Sequence, residues 1–386
     1  MRKNPEVGAA QDELRKSGWQ KKRVNVWFGF NFSAWIKALC KSEFQIDKNK
    51  IPLAISITFS SLNNALLRGM EHLIYAPKVA RVEIEKPPLF IIGHWRCGTT
   101  LLHELLALDE RHTYPATYQC FNPNHFLLTQ RLYASRWNSL LPSKRPMDNM
   151  AIASNTPQED EFALCLLGAL SPYLAIAFPN RLTDYMDYFS LERFTPEELK
   201  RCEGSFVYFL KRITFARPGR IILKSPVHTF RIKVLLKLFP QARFVHIVRD
   251  PYVVFPSTLH MWRRMFQAFS LQSSCSVELE DYVFKMFNHL YESFEETRKL
   301  IPSLQIYQVR YEDLVKDTMG EMQKLYSSLG LGSFEPVLPA VKDYLAKAAS
   351  YKKNIYELPQ NMRAEISRRW GKIIKRYGYP LTNEVP

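Results

Sequence analysis

The chain has 386 residues, of which 46% are hydrophobic, and its formal net charge is +16 at pH 7. The length allows one large α/β domain with an elaboration, and the composition allows a sizeable core. The charge favours anionic partners such as nucleotides or an anionic membrane surface. No zinc-finger spacing or RNA-binding aromatic signature is present, so we expect no nucleic acid partner.

The N-terminus and the cysteines predict a cytoplasmic protein. Residues 1–23 are charged and polar, without the apolar core and cleavage site of a signal peptide. None of the six cysteines belongs to a Cys-x-x-Cys pair, and their spacing indicates neither a disulfide framework nor a zinc site. We therefore expect reduced thiols.

Residues 1–86 predict a basic helical extension, followed by an α/β domain over residues 87–386. Pro87 and Pro88 mark the boundary, because proline disfavours helix before and within itself. The most apolar stretch, residues 51–67, is interrupted by Ser, Thr and Asn. It is shorter than the roughly 20 mostly apolar residues that a spanning helix needs. We predict a packed helix here and leave its attachment to an anionic membrane surface open.

Short apolar runs alternate with helical patterns along the second region. Four of these runs predict strands, at residues 89–93, 221–223, 243–248 and 304–309. The alternation predicts a three-layer α/β/α fold with a central parallel sheet, like that of P-loop NTPases. Ligands bind beyond the carboxyl ends of such strands. The loop after the first strand, Lys224 and Arg249 should therefore converge at one edge of the sheet.

The loop at residues 93–100 has the spacing of a phosphate-binding loop. Four residues separate Gly93 from Gly98, and a helical pattern follows. Backbone N–H groups of the loop and of the helix N-terminus suit an anion. The lysine of a Walker sequence is missing, and Arg96 can supply its charge. Taken alone, the loop is equally compatible with an ordinary strand–loop–helix turn.

Two later motifs narrow the interpretation. Lys224-Ser225-Pro226 follows the second predicted strand, and Arg249 follows the third, eight residues before Ser257. Together with the loop, they resemble the sulfotransferase family over about residues 89 to 260. The resemblance implies 3′-phosphoadenosine 5′-phosphosulfate (PAPS) as sulfuryl donor, a hydroxyl or amine acceptor, and no metal.

The resemblance also implies roles for individual residues. The 3′-phosphate of the donor would lie on Arg249 and Ser257. Lys224, together with Arg96, would stabilise the charge that develops as the sulfuryl group leaves. The 5′-phosphosulfate would lie on residues of the loop, namely Arg96, Cys97, Gly98, Thr99 and Thr100.

The general base is not decided by the sequence. His228 is our first candidate because it closely follows the Lys-Ser-Pro motif and histidine titrates near neutrality. His103 and Glu161 are the alternatives. Glu161 belongs to the acidic cluster of residues 159–161. Thr156 and Glu159 have the spacing of a capping box, so Glu159 has a structural explanation at a helix start, whereas Glu161 is the carboxylate that local structure explains least.

Two other functions compete with sulfuryl transfer. A P-loop kinase or NTPase fits the loop but not the missing Walker lysine. A non-catalytic basic protein that binds anionic lipid or nucleic acid explains the charge but not the ordered motifs. The acceptor stays open between a small molecule such as a steroid, a lipid and a glycan, and the oligomeric state is not indicated.

Overall fold

A computed structural model describes residues 25–142, 145, 150–272, 278–348 and 356–382. Five parallel strands form one sheet in the order β2-β3-β1-β4-β5. The strands are β1 (Leu89–Ile92), β2 (His112–Thr113), β3 (Arg220–Lys224), β4 (Arg243–Val248) and β5 (Ile306–Arg310). The predicted α/β fold with a central parallel sheet is confirmed.

The central strands are continuous apolar runs because helices cover both faces of the sheet. All four residues of β1 are buried, and β1 lies between β3 and β4. Strand β2 was not predicted, since its two residues are too short to leave a pattern. Strand β5 begins two residues later than predicted, because Ser303–Gln305 forms a 3-10 turn after Pro302.

Helices surround the sheet. Those of the N-terminal half are α1 (Phe32–Lys41), α2 (Ile51–Ala80), α3 (Thr99–Ala107), α4 (Thr117–Phe121), α5 (Phe126–Leu140), α6 (Asp160–Leu167), α7 (Leu174–Ala177) and α8 (Pro196–Ala216). Those that follow are α9 (Ile232–Leu238), α10 (Pro251–Phe269), α11 (Leu279–Thr297), α12 (Tyr311–Lys316), α13 (Thr318–Leu329), α14 (Leu338–Ala348) and α15 (Gln360–Arg376).

Helices α1 and α2 pack onto the rest of the chain through one face. Trp27 and Trp35 are fully buried in the common core. The buried carboxylate of Glu71, on α2, pairs with the guanidinium of Arg212, on α8. Among the described residues, no helix is long and apolar enough to cross a membrane. The domain boundary after residue 86 stays a prediction.

Candidate active site

Two glycines shape the loop between β1 and α3. Gly93 has φ +142°, and a Cβ there would lie 2.4 Å from the carbonyl oxygen of Ile247. Gly98 has φ +96° and is the N-cap residue of α3; a Cβ there would lie 2.3 Å from the ring of Tyr311. Only glycine fits either position without strain. The loop therefore presents its backbone and the N-terminus of α3 at the edge of the sheet.

The structure brings Arg96, Arg249 and Ser257 together beside this loop. Arg96 Nε donates a hydrogen bond to Ser257 Oγ at 2.9 Å, and Arg249 donates to the carbonyl oxygen of Arg96 at 3.0 Å. The Arg249 guanidinium lies 4.2 Å from the ring centre of Tyr311. Two guanidinium groups and a hydroxyl thus surround one end of the loop, where they suit phosphate or sulfate oxygens.

The remaining loop residues, Cys97, Thr99 and Thr100, differ in their access to the space beside the loop. Thr99 and Thr100 open helix α3 and line a cavity beside the loop. The Cys97 side chain is fully buried, and burial raises the pKa of its thiol to about 12. The thiol therefore stays neutral at pH 7, and the backbone N–H of Cys97 donates to the carbonyl oxygen of His94 at 3.3 Å.

Lys224 lies at the carboxyl end of β3, with 1% of its side chain exposed. Its Nζ donates to Glu159 Oε1 at 2.6 Å and lies 3.5 Å from Thr100 Oγ1. The other carboxylate oxygen of Glu159 accepts a hydrogen bond from the hydroxyl of Tyr173. A cation and a carboxylate therefore stand side by side next to the phosphate loop.

His228, the first candidate for the base, lies elsewhere. It is 1% exposed, and its Nε2 lies 2.9 Å from a carboxylate oxygen of Asp160. It does not line the cavity beside the loop but a second cavity of about 460 Å³. His103 is fully buried, and burial together with the charge of Lys224 lowers its pKa. Neither imidazole reaches the space next to the loop.

Glu161 is an ion-pair partner in the core. Its side chain is fully buried, and Arg231 Nη1 donates to its Oε2 at 3.0 Å. Burial raises the pKa of Glu161, and the guanidinium of Arg231 opposes that shift. This carboxylate does not line the cavity beside the loop either.

The predicted capping box at Thr156 and Glu159 is wrong. Helix α6 begins at Asp160, and Glu159 is its N-cap residue without a side-chain capping bond. Thr156 Oγ1 instead donates to the carbonyl oxygen of Ala153. The side chain of Glu159 is therefore available to Lys224. The capping-box pattern had assigned this carboxylate to a helix start, so the sequence did not indicate its position beside Lys224.

A cavity of about 810 Å³, open to solvent, adjoins the phosphate loop. Arg96, Thr99, Thr100 and Glu159 form part of its wall. The rest is largely apolar and includes Val26, Trp95, Phe121, Phe162, Met261 and Trp262. An apolar molecule in this cavity can bring one polar end to the loop and to Glu159.

No role in the site was assigned from the sequence to three residues that the structure places there. Glu159 and Tyr173 stand far from the motifs in sequence, and no local pattern connects them to Lys224. Tyr311 lies beyond residues 89–260, which carry the motifs, and its ring contacts both Gly98 and the guanidinium of Arg249. Among the described residues, no cluster of three or more His, Cys, Asp or Glu side chains could hold a metal ion.

These features place groups that suit an anion beside a largely apolar cavity. The sequence model of the sulfotransferase family matches residues 87–336, so the chain belongs to the sulfotransferase family. It is a transferase that moves a sulfuryl group from a sulfate donor. The assignment replaces the kinase and NTPase alternative and the non-catalytic one.

Named relatives support this family assignment. The chain is 44% identical, over 98% of its own length and 97% of the relative's, to omega-hydroxy-beta-dihydromenaquinone-9 sulfotransferase Stf3 of Mycobacterium bovis, and equally to that of Mycobacterium tuberculosis. The fold is similar to that of sulfotransferase STF9 from Mycobacterium avium, with a TM-score of 0.67 at 17% identity over 92% of this chain and 98% of that one. Sulfotransferase STF1 from Mycobacterium tuberculosis H37Rv has a TM-score of 0.56 at 18% identity, over 89% and 94% of the two chains.

Proposed function

We propose that the protein transfers the sulfuryl group of PAPS to the hydroxyl of a long apolar lipid alcohol, with Glu159 as the general base. The observation that carries the proposal is the Lys224–Glu159 pair, which lies where the phosphate loop meets the apolar cavity. In this arrangement Lys224 would lie beside the departing anion and Glu159 beside the incoming hydroxyl.

The residues present fit the donor. The N-terminus of α3 and the backbone of residues 96–100 suit the 5′-phosphosulfate, since helix N-termini bind anions. Arg249 and Ser257 suit the 3′-phosphate, and their mutual contact with Arg96 joins the two anion sites. PAPS, when bound, supplies the activated sulfuryl group; the protein supplies position and charge.

Each side chain then has one task. The acceptor hydroxyl loses its proton to the carboxylate of Glu159, which Tyr173 and Lys224 hold in place by hydrogen bonds. Lys224 and Arg96 stabilise the negative charge that develops on the departing phosphate oxygen. This assignment moves the base from His228 to Glu159, because His228 is enclosed with Asp160 away from the loop.

The acceptor class follows from the cavity. Aromatic and aliphatic side chains form most of its wall, and such a wall suits a hydrophobic chain rather than a glycan. The Stf3 relatives are named for an omega-hydroxylated menaquinone. We therefore propose a terminally hydroxylated isoprenoid quinone, or a lipid alcohol of the same kind, as the acceptor here.

The test is a transfer assay with sulfur-labelled PAPS. We expect label in a hydroxylated menaquinone dispersed in detergent, and little or none in a steroid alcohol, a simple sugar or the menaquinone without the hydroxyl. Transfer to the sugar at a comparable rate would contradict the lipid assignment. Equal transfer to the menaquinone without a hydroxyl would contradict transfer to a terminal oxygen.

The Arg249→Ala variant should bind the donor product 3′-phosphoadenosine 5′-phosphate roughly thirtyfold more weakly, because a charge-assisted contact of about 2 kcal/mol is lost. The parent should prefer this nucleotide to AMP, and the variant should lose that preference. Calorimetric titration measures both constants.

The matched control is Arg243→Ala, which removes an arginine from the opposite end of the same strand. It should keep the parent's preference for the 3′-phosphate. If Arg243→Ala and Arg249→Ala lose the same affinity, Arg249 has no specific role in donor binding.

We also propose that the protein acts in the cytoplasm, at the membrane that holds such lipids. The cysteine spacing, without a Cys-x-x-Cys pair or a disulfide framework, supports a reducing compartment. The acceptor itself is a membrane lipid, and contact with the membrane surface would give the cavity access to it.

A further inference from the structure

Helix α2 has a long apolar face that the other described residues do not cover. Its opposite face packs on the protein through Ala54, Ile57, Ser61 and Asn64, all of which are buried. The outer face exposes large side chains, among them Phe59 at 69%, Leu66 at 72% and Leu73 at 81%. Soluble proteins rarely expose so many large apolar side chains in one row.

The spacing of these side chains makes them one stripe. They recur at intervals of four, four and three residues, as an eleven-residue repeat: Ile51, Ile55, Phe59, Leu62, Leu66, Met70 and Leu73. This repeat is close to the period of the α-helix, so the stripe runs nearly straight along the axis. A straight apolar stripe over residues 51–73 of this 30-residue helix suits a flat surface.

The charges around the stripe are basic. The only acidic residue of α2 is Glu71, and it is buried in its ion pair with Arg212. Arg68 and Lys78 are exposed on the same helix. Glu83 and Glu85 lie beyond its C-terminal end. The exposed part of α2 therefore carries positive charge and no carboxylate.

We infer that α2 is a membrane-docking face, which lies in the surface of a bilayer that contains anionic lipid. A helix with an apolar stripe and basic flanking residues binds in this way. The charge argues against a second copy of the chain as occupant, because pairing two such faces would bring like charges together. The helix cannot insert further, since its other face is held by the protein.

The docking face is connected to the acceptor cavity. Ser60 Oγ and Asn64 Nδ2 donate to the carbonyl oxygen of Phe28 at 2.8 and 2.7 Å. Phe28 belongs to the turn Val26–Gly29, and Val26 lines the cavity. Gly29 in turn lies against Phe121, another residue of the wall. Docking through α2 would therefore place the cavity close to the lipid, a role that rests on the proposed lipid acceptor.

The first measurement is co-sedimentation of the full chain with vesicles. The vesicles contain phosphatidylcholine alone, or phosphatidylcholine and phosphatidylglycerol in equal parts. We expect binding to the mixed vesicles to weaken on the order of a hundredfold in the Phe59→Asn/Leu66→Asn/Leu73→Asn variant, since three apolar side chains that would be buried in the bilayer are lost. Arg68→Gln/Lys78→Gln should lose about fivefold per charge on mixed vesicles and little on neutral ones.

The matched control is Leu300→Asn/Leu304→Asn/Val315→Asn, which changes three exposed apolar residues away from α2. It should bind vesicles like the parent. The inference is overturned if the α2 variant binds like the control. It is also overturned if the parent is a dimer in solution that only the α2 variant converts to monomers, because a second copy would then occupy the face.

Activity separates this inference from the proposed function. With hydroxylated menaquinone embedded in vesicles, the α2 variant should be slow; with the same acceptor dispersed in detergent, it should reach the parent rate. Unaltered melting temperatures of the variants exclude misfolding. If no protein transfers label in either format while the parent still binds vesicles better than the α2 variant, the proposed acceptor is wrong and the docking face stands.

Discussion

Glu159→Gln should lower kcat by roughly a hundredfold to ten-thousandfold, the range for loss of a general base. The amide keeps the shape of the side chain, and its oxygen can still accept from Lys224, which now donates to Oε1 at 2.6 Å. What is lost is the group that, in our proposal, removes the proton of the acceptor. Single-turnover kinetics with labelled PAPS measure the chemical step directly.

The contrasting variant is His228→Gln. Because His228 is buried against Asp160, this change should lower the melting temperature but leave the turnover per folded molecule and its pH profile close to those of the parent. Binding of 3′-phosphoadenosine 5′-phosphate should be retained in both variants. A large loss of turnover in His228→Gln, with normal turnover in Glu159→Gln, would return the base to the histidine.

Lys224→Met should lower kcat by roughly a hundredfold to a thousandfold, with little change in acceptor KM. The interaction of Lys224 with the departing oxygen strengthens only as charge develops there, so its loss appears in the rate and not in ground-state binding. The side chain is almost fully buried, and methionine fills a similar volume without the charge. Initial rates over a range of acceptor concentrations separate kcat from KM.

Two further variants test the assignment of Lys224. Lys233→Met removes an exposed lysine and should have the parent rate, which excludes an effect of net charge alone. The double variant Lys224→Met/Glu159→Gln should be hardly slower than the slower of its two single variants, because groups that act as a unit are not additive. Fully additive losses would show that the two side chains act in separate steps.

The acidic cluster Glu159-Asp160-Glu161 explains why the proposed base could not be identified from the sequence. Three consecutive carboxylates each pair with a different basic side chain from β3 and the segment after it. Glu159 pairs with Lys224, Asp160 with His228, and Glu161 with Arg231. Only the first pair lies beside the phosphate loop, and the other two are buried. Local rules for helix starts could not show which of the three carboxylates lies beside the loop. That position depends on basic partners about 65 to 70 residues away in sequence.

The proposed donor site, unlike the proposed base, could be predicted from the sequence, because its parts are short contiguous motifs. The glycine spacing of the loop and the positions of Lys224 and Arg249 directly after strands were enough to expect them at one sheet edge. The strands that precede the loop and Arg249, and the strand that ends with Lys224, are buried apolar runs. Such runs are the pattern by which strands of a parallel sheet are most easily recognised in a sequence. The placement of Arg96, Arg249 and Ser257 side by side follows from that topology.

The sequence by itself determined the family, the parallel sheet and the convergence of the loop, Lys224 and Arg249 at one sheet edge, since each rests on a pattern within a few neighbouring residues. Tertiary structure alone decided which carboxylate lies beside the phosphate loop, what lines the cavity there and which face of α2 the described residues leave uncovered. The physical reason is that burial and ion pairing depend on residues from distant segments. Residues 51–67 were predicted to be a packed helix, and only the packing of that helix revealed that half of it remains exposed.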